Sequence, residues 1–344
     1  MALAGKVAIV TGASRGIGKG ISLGLAENGC SSIYLTGRTV KHTGKAALPG
    51  SLEQTVEEIE RMGTGARAVA IRCDHGSSED VDALFDAVRE AEGRLDILVN
   101  SATQIDAEGV AFDAPFWEQG EAMWDAFHNV GLRSHYVATT RALRGDKPLM
   151  GPGGLVVNVS SFGGLAFTFN VAYSVGKGAV DRLSRDMAVD LEPRGIGCVS
   201  LWPGIVRTER LLKLAAGDGK APNKNAFDLT MSESPLLSGR VVAALAAAPD
   251  YVAKRTGEVV VVAEAAEHFG IADEDGRPVS IRSLGFALSY ALGLDRASGG
   301  WGAWLMAALR YVKIPFSVFK NAKYAMERKQ RMQSQDREPK THGD

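Results

Sequence analysis

Short apolar runs of strand type alternate with longer amphipathic stretches along most of this chain, and that alternation limits what it can become. The strand-like runs are Lys6–Val10, Ser32–Thr36, Ala68–Arg72, Leu95–Val99, Leu155–Val159, Gly197–Leu201 and Glu258–Val262. Helical patterns lie between them, including Leu52–Met62, Glu79–Ala91 and Val171–Leu191. Successive parallel strands need a crossover, usually a helix, so this rhythm implies an α/β fold: a parallel sheet with helices on both faces. Ligands of such sheets bind beyond the carboxyl ends of the strands. Gly18, Asp74, Asn100, Ser161 and Gly204 all follow strand runs and fall on that side.

The first run opens into Thr11-Gly12-Ala13-Ser14-Arg15-Gly16-Ile17-Gly18, and a helical pattern follows with Ile17, Ile21, Leu25 and Ala26 on one face. Strand, glycine-rich turn and helix form a phosphate-binding arrangement. Glycines let the backbone approach a pyrophosphate, and the helix N-terminus offers free N–H groups and a positive dipole end. The spacing differs from the common G-x-G-x-x-G fingerprint.

Tyr173 and Lys177 stand one helical turn apart and share a face, with Ser160 and Ser161 upstream. A free phenol has a pKa of about 10 and exchanges protons poorly near neutrality. A nearby ammonium favours the phenolate, so Lys177 is expected to lower the tyrosine pKa and fit it for general acid or base work.

Together these features resemble the short-chain dehydrogenase/reductase family, over about residues 4–264. Thr11-Gly12-x-x-x-Gly16-Ile17-Gly18 is similar to the family's cofactor motif, and Asp74 matches its adenine-contacting aspartate. Asn100-Ser101-Ala102-Thr103 resembles the Asn-Asn-Ala-Gly motif but keeps only its first and third residues. Asn129 matches the helix asparagine of the catalytic tetrad, Tyr173-Ser174-Val175-Gly176-Lys177 the Tyr-x-x-x-Lys signature, and Pro203-Gly204-Ile205-Val206-Arg207-Thr208 the loop beneath the nicotinamide. Other stretches, among them Asn129-Val130-Gly131-Leu132-Arg133 and Asp275-Gly276-Arg277-Pro278, resemble one branch of the family.

The resemblance implies a Rossmann-type doubly wound sheet and a hydride-transferring oxidoreductase. Its expected domain is residues 1–264, with a C-terminal extension over 265–344. Gly12, Ser14, Arg15, Gly16, Ile17, Gly18, Arg38, Asp74, Asn100, Tyr173, Lys177, Pro203, Gly204, Val206 and Thr208 are the expected cofactor-binding residues. Tyr173 would donate the proton to the developing alkoxide, and Lys177 would also hold the nicotinamide ribose. Ser161 would hydrogen-bond the substrate carbonyl, and Asn129 would hold a water leading from Lys177 to solvent. Ser161 and Tyr173 are thus also the substrate contacts. Ser160 has the commoner spacing to Tyr173; Ser161 is favoured by its place after Asn158-Val159-Ser160.

Charge argues for NADP(H). NAD enzymes often end the second strand with an acid for the ribose hydroxyls, which would repel a 2′-phosphate. Here Leu35-Thr36-Gly37-Arg38 carries none, and Arg38 first, then Arg15, are placed for phosphate, with Lys41 and Lys45 nearby. The family resemblance implies a hydrophobic ketone, aldehyde or steroid-like carbonyl as substrate. A non-catalytic dinucleotide-binding sensor or scaffold is the alternative, disfavoured by the complete tetrad.

The 344 residues carry a formal charge of -1, which gives no basic excess for nucleic acid. Cys30, Cys73 and Cys198 are widely spaced, without a metal-ligand pattern, and suit a reducing intracellular compartment. The first strand begins almost at once, which leaves no room for a signal peptide, and no apolar stretch is a clear membrane span. Two segments exceed the family's usual core. Thr39–Gly50 leads to a capping box at Ser51 and Gln54. Thr103–Glu121 carries Phe112, Phe116 and Trp117, for either a pocket or core packing. In the extension, Trp301, Trp304, Leu305, Ala308 and Leu309 share a helical face, followed by Ile314, Phe316, Val318 and Phe319 and then by Lys320, Lys323, Arg328, Lys329 and Arg331. That face meets either a membrane surface, for a cytoplasmic or peripherally attached protein, or the core or a second subunit of a homo-oligomer.

Overall fold

The computed structural model describes residues 2–42, 48–104, 114–216, 229, 232–276, 280–284, 309 and 312–314. Its strands are β1 (Val7–Thr11), β2 (Ser32–Gly37), β3 (Arg67–Arg72), β4 (Ile97–Asn100), β5 (Leu155–Val159), β6 (Gly197–Trp202) and β7 (Val259–Val261). They form one sheet in the order β3-β2-β1-β4-β5-β6-β7, and every pairing is parallel. This is the doubly wound Rossmann-type sheet expected from the sequence. Its strand order reverses between β1 and β4, which opens a crevice at their carboxyl ends.

Alternation along each strand feeds two cores. On β1, Ala8 and Val10 face one layer with Ile21, Leu25, Val241 and Leu245; Val7 and Ile9 face the other with Leu84, Phe85, Ala138 and Leu191. The first layer holds α1 (Gly16–Glu27), α2 (Leu52–Arg61), α8 (Pro235–Ala247) and α10 (Val262–Phe269). The second holds α3 (Ser78–Glu92), α5 (Ser134–Leu143) and α6 (Val171–Leu191). Between the layers' helices in sequence come α4 (Gly120–His128), α7 (Glu209–Ala215) and the short α9 (Pro249–Ala253).

Helix α1 must carry the glycine turn at a fixed height, and its crossing with α8 does this. A Cβ on Gly24 would stand 2.2 Å from the Gly239 carbonyl carbon, and one on Gly239 would stand 2.1 Å from Gly20 O. The two backbones therefore touch, and no side chain fits at the crossing.

The boundary expected after residue 264 falls within α10. Val262, Ala265 and Ala266 belong to the main core, and Phe269 and Ile271 pack against it. The core therefore continues to at least Ile271. Part of the extension also returns to it: Leu284 N donates to Val312 O (2.7 Å), Ile314 N to Arg282 O (2.9 Å), and Ile314 packs on the cluster of Phe162, Trp202 and Ile281. Of the expected amphipathic face, Trp301, Trp304, Leu305 and Ala308 lie outside the described residues, as do Phe316 and the basic residues that follow. Among the described residues, no helix is long and apolar enough to cross a membrane.

Half of the expected capping box forms. Ser51 Oγ accepts from Gln54 N (3.2 Å), while the Gln54 amide donates to Glu58 (3.1 Å). Phe116 and Trp117 are 61 % and 71 % exposed and contact each other edge-to-face, so core packing does not explain them. Phe112 lies outside the described residues.

Candidate active site

The crevice between β1 and β4 is held by Thr11, whose hydroxyl accepts from Ser101 N and Ala102 N (both 2.9 Å). Gly12, with φ +70°, sits so close that a Cβ there would lie 2.9 Å from Ala102 Cα; a Cβ on Gly18 would lie 2.3 Å from Gly12 O. Such a turn leaves the α1 N-terminus open to an anion. An anionic group is already there: Gly16 N donates to a carboxylate oxygen of Glu209 at 2.8 Å. Thr208 caps α7 and its methyl faces Gly16. Donors, dipole and close backbone thus fit a pyrophosphate. Ser14 is buried beside this turn and Ile17 is half-buried.

Arg15 is engaged elsewhere than expected. Its guanidinium donates to Pro49 O and Gly50 O (2.9 Å each) and so fastens the inserted segment onto the glycine turn. Lys41 pairs with Glu53 (3.3 Å), and Lys45 lies outside the described residues. Arg38 follows β2 directly and is exposed. Asp74 forms a tight turn, its carboxylate accepting from Gly76 N (2.9 Å). Asn100 is buried and ties β4 to its neighbours, donating to Asn158 Oδ1 (2.9 Å) and Thr139 Oγ1 (3.2 Å).

At the end of β5 the chain brings the serine, tyrosine and lysine together. Asn170 caps α6 by accepting from Tyr173 N (2.8 Å), which aims the first turn of the helix at Ser161. The Tyr173 hydroxyl donates to Ser161 Oγ at 2.8 Å, and Gly163 N donates to the same oxygen at 2.9 Å. Ser160 points away, its hydroxyl donating to Lys177 O (3.1 Å). The geometry therefore pairs Tyr173 with Ser161, in spite of the one-residue shorter spacing. Phe127 and Phe169 stand edge-on to the Tyr173 ring at 5.5 and 5.0 Å. Phe169 has φ +62°, a left-handed conformation that costs a non-glycine residue about 1–2 kcal/mol. That strain sits against the tyrosine.

The electrostatics differ from the expectation. Burial pushes the Tyr173 phenol up to about 12, against the Ser161 hydrogen bond. Burial also pushes Lys177 down to about 8, with Asp181 pulling the other way. The ammonium lies 6.0 Å from the Tyr173 ring centre and donates to Val159 O (2.9 Å), so here desolvation outweighs any lowering of the phenol by Lys177. Such a phenol is fully protonated at neutral pH and ready to donate.

Asn129 opens a π turn, Asn129–Arg133, between α4 and α5, and is exposed. Among the described residues, no hydrogen bond joins it to Lys177; Gly131 and Thr103 line the small cavity beside Tyr173 and Lys177 instead. Two acidic residues join the site unforeseen. Asp181 lies one turn beyond Lys177 and accepts from Ser200 Oγ (2.6 Å) and Trp202 Nε1 (2.8 Å). Its spacing from Tyr173 and Lys177 was a readable signal. Glu233 reaches the Pro203–Thr208 loop from far along the chain and accepts from Gly204 N (2.9 Å), and it had none.

The short chain dehydrogenase family model matches residues 6–218. The chain is 40% identical over 331 residues to mouse dehydrogenase/reductase SDR family member 1, covering 93% of this chain and 98% of that protein. The human protein of the same name is 39% identical over 325 residues, covering 90% and 95%. This chain is a short-chain dehydrogenase/reductase. A solved Burkholderia cenocepacia short chain dehydrogenase in complex with NADP superposes with a TM-score of 0.61 at 28% identity, over 76% of this chain and 97% of that one. Membership makes the protein an oxidoreductase of a family that uses a nicotinamide cofactor on small-molecule substrates. The glycine turn, Ser161 and the Pro203–Thr208 loop follow the carboxyl ends of strands, and Tyr173 and Lys177 lie on α6, the helix after β5.

Proposed function

We propose that this protein is an NADP(H)-dependent carbonyl reductase, moving hydride between the nicotinamide and a hydrophobic ketone, aldehyde or steroid-like carbonyl, with Tyr173 as general acid. The observation that carries this reading is the Tyr173–Ser161 hydrogen bond with Lys177 one turn beyond. Bound NADPH would supply the hydride. Ser161 Oγ, already an acceptor from two donors, can turn its own proton toward a substrate oxygen and stabilise charge as it develops. Tyr173, neutral at physiological pH, gives its proton to the alkoxide. Lys177 would hold the nicotinamide ribose and pass a proton back to Tyr173, with Asn129 at the solvent end of that route.

Gly12, Ser14, Gly16, Ile17 and Gly18 would hold the pyrophosphate, and Asp74 the adenine. Asn100 would act by fixing the crevice wall, and Pro203, Gly204, Val206 and Thr208 would receive the nicotinamide. Arg38 is the favoured partner of the 2′-phosphate, since Arg15 donates to two carbonyls and Lys41 is paired. The exposed Tyr136 and Val189 on α5 and α6 suit contact with a second copy of the chain. The test is NADPH consumption with a panel of ketones and aldehydes. Turnover with any class supports the reading. Tight NADPH binding without turnover on any of them favours the non-catalytic sensor or scaffold.

A further inference from the structure

Glu233 is 1 % exposed and immediately precedes the Ser234 cap of α8. Its backbone runs beside the Pro203–Thr208 loop as a parallel bridge to Val206: Glu233 N donates to Ile205 O (2.7 Å) and Arg207 N to Glu233 O (2.9 Å). Its side chain turns back under the same loop, where Oε2 accepts from Gly204 N at 2.9 Å. A Cβ on Gly204 would stand 2.8 Å from Oε1, so the carboxyl fills the space a side chain there would need. Among the described residues, Oε1 has no hydrogen-bond partner although it is buried. Buried polar atoms are nearly always satisfied, and one that is not calls for an explanation.

We propose that Glu233 is a positioning residue for the nicotinamide, its carboxyl fastening Gly204 so that the Pro203–Thr208 loop keeps the shape that receives the ring. The proposal rests on the reading that this loop underlies the nicotinamide. Among the described residues, two charged groups face the carboxyl. Asp273 is held by Ser234 N (2.7 Å), the Ser234 hydroxyl and Glu274 N (2.8 Å). Arg207 donates to Ser232 O (2.8 Å) and pairs with Asp275 (2.5 Å). Burial, then the Asp273 charge, push Glu233 up to about 8, against the Gly204 hydrogen bond and Arg207. At neutral pH the group is a neutral acid. Above its pKa it becomes a carboxylate under a ring that is cationic when oxidised and neutral when reduced, so rising pH should favour NADP⁺ over NADPH.

The experiment compares wild type, Glu233→Gln and Glu233→Ala for affinity to NADPH, NADP⁺ and adenosine 2′,5′-bisphosphate, which carries only the adenosine half. Glu233→Ala should weaken NADPH by roughly tenfold, as expected for a lost hydrogen bond, and leave the bisphosphate unchanged. Glu233→Gln keeps an acceptor for Gly204 N and should bind NADPH like wild type at pH 7. Across pH 8 the wild-type preference should move toward NADP⁺ by at least about threefold more than in Glu233→Gln; Lys177, which titrates in the same range, is common to both. An alanine variant that loses both ligands alike, or a glutamine variant that follows the wild-type pH curve, overturns the proposal. If the alanine variant does not fold, the glutamine comparison decides alone. Wild type that binds none of the three ligands overturns the nicotinamide reading itself, and the proposal with it.

Discussion

Replacing Tyr173 with Phe tests the general acid with little disturbance to the fold. The ring keeps its edge contacts with Phe127 and Phe169. Only the hydroxyl is lost, and with it one neutral hydrogen bond to Ser161, which still accepts from Gly163 N. A bond of that kind contributes about 1 kcal/mol, so the melting temperature should fall by no more than about 2–4 °C. Turnover should respond very differently. With its phenol pushed up to about 12, the wild type is a filled proton donor at pH 7. Without it the alkoxide must find a proton from water, a loss of at least about a hundredfold in turnover, or about 2.7 kcal/mol in the barrier. NADPH affinity, measured by fluorescence titration, should stay near wild type, since the phenol contributes to the chemical step. Turnover within about threefold of wild type would refute the assignment.

Three further outcomes follow from the same geometry. Arg38→Asp replaces the exposed cation after β2 with a repelling charge, and the NADPH-to-NADH affinity ratio should drop by on the order of tenfold; an unchanged ratio removes Arg38 from the 2′-phosphate site. Glu209→Gln neutralises the carboxylate now accepting from Gly16 N, so NADPH and NADH should both bind a few-fold tighter in titration, because a helix N-terminal charge contact is worth about 0.3–1 kcal/mol; weaker binding would show that Glu209 does not compete with phosphate. Gly24→Ala forces a methyl against the Gly239 backbone, and calorimetry should show a loss of about 1–3 kcal/mol, where a neutral or stabilising result would mean that the α1–α8 crossing can open freely.

The sheet was legible because its inner strands, buried on both faces, are written as continuous apolar runs, and β5 and α6 took the bounds those runs suggest. The site was legible where residues act within one turn or one loop, as in Tyr173 with Lys177. Side-chain commitments made across the fold were not. Arg15 carries a charge suited to phosphate, but the carbonyls of Pro49 and Gly50 claim it only after the insertion packs. Spacing reveals the lysine next to the phenol and not the desolvation around it, which raises the phenol's pKa. Glu233 meets Gly204 across a long stretch with no periodicity, and the left-handed Phe169 has no sequence signature.

The central claim, hydride transfer with Tyr173 as proton donor, is tested most directly with NADPH carrying deuterium at the transferring C4 position. Incubated with the protein and a carbonyl substrate found in the panel, it should give an alcohol with deuterium on the former carbonyl carbon, and Tyr173→Phe should form that product at least about a hundredfold more slowly. Alcohol without deuterium at that carbon, or equal rates in the two proteins, would contradict the account.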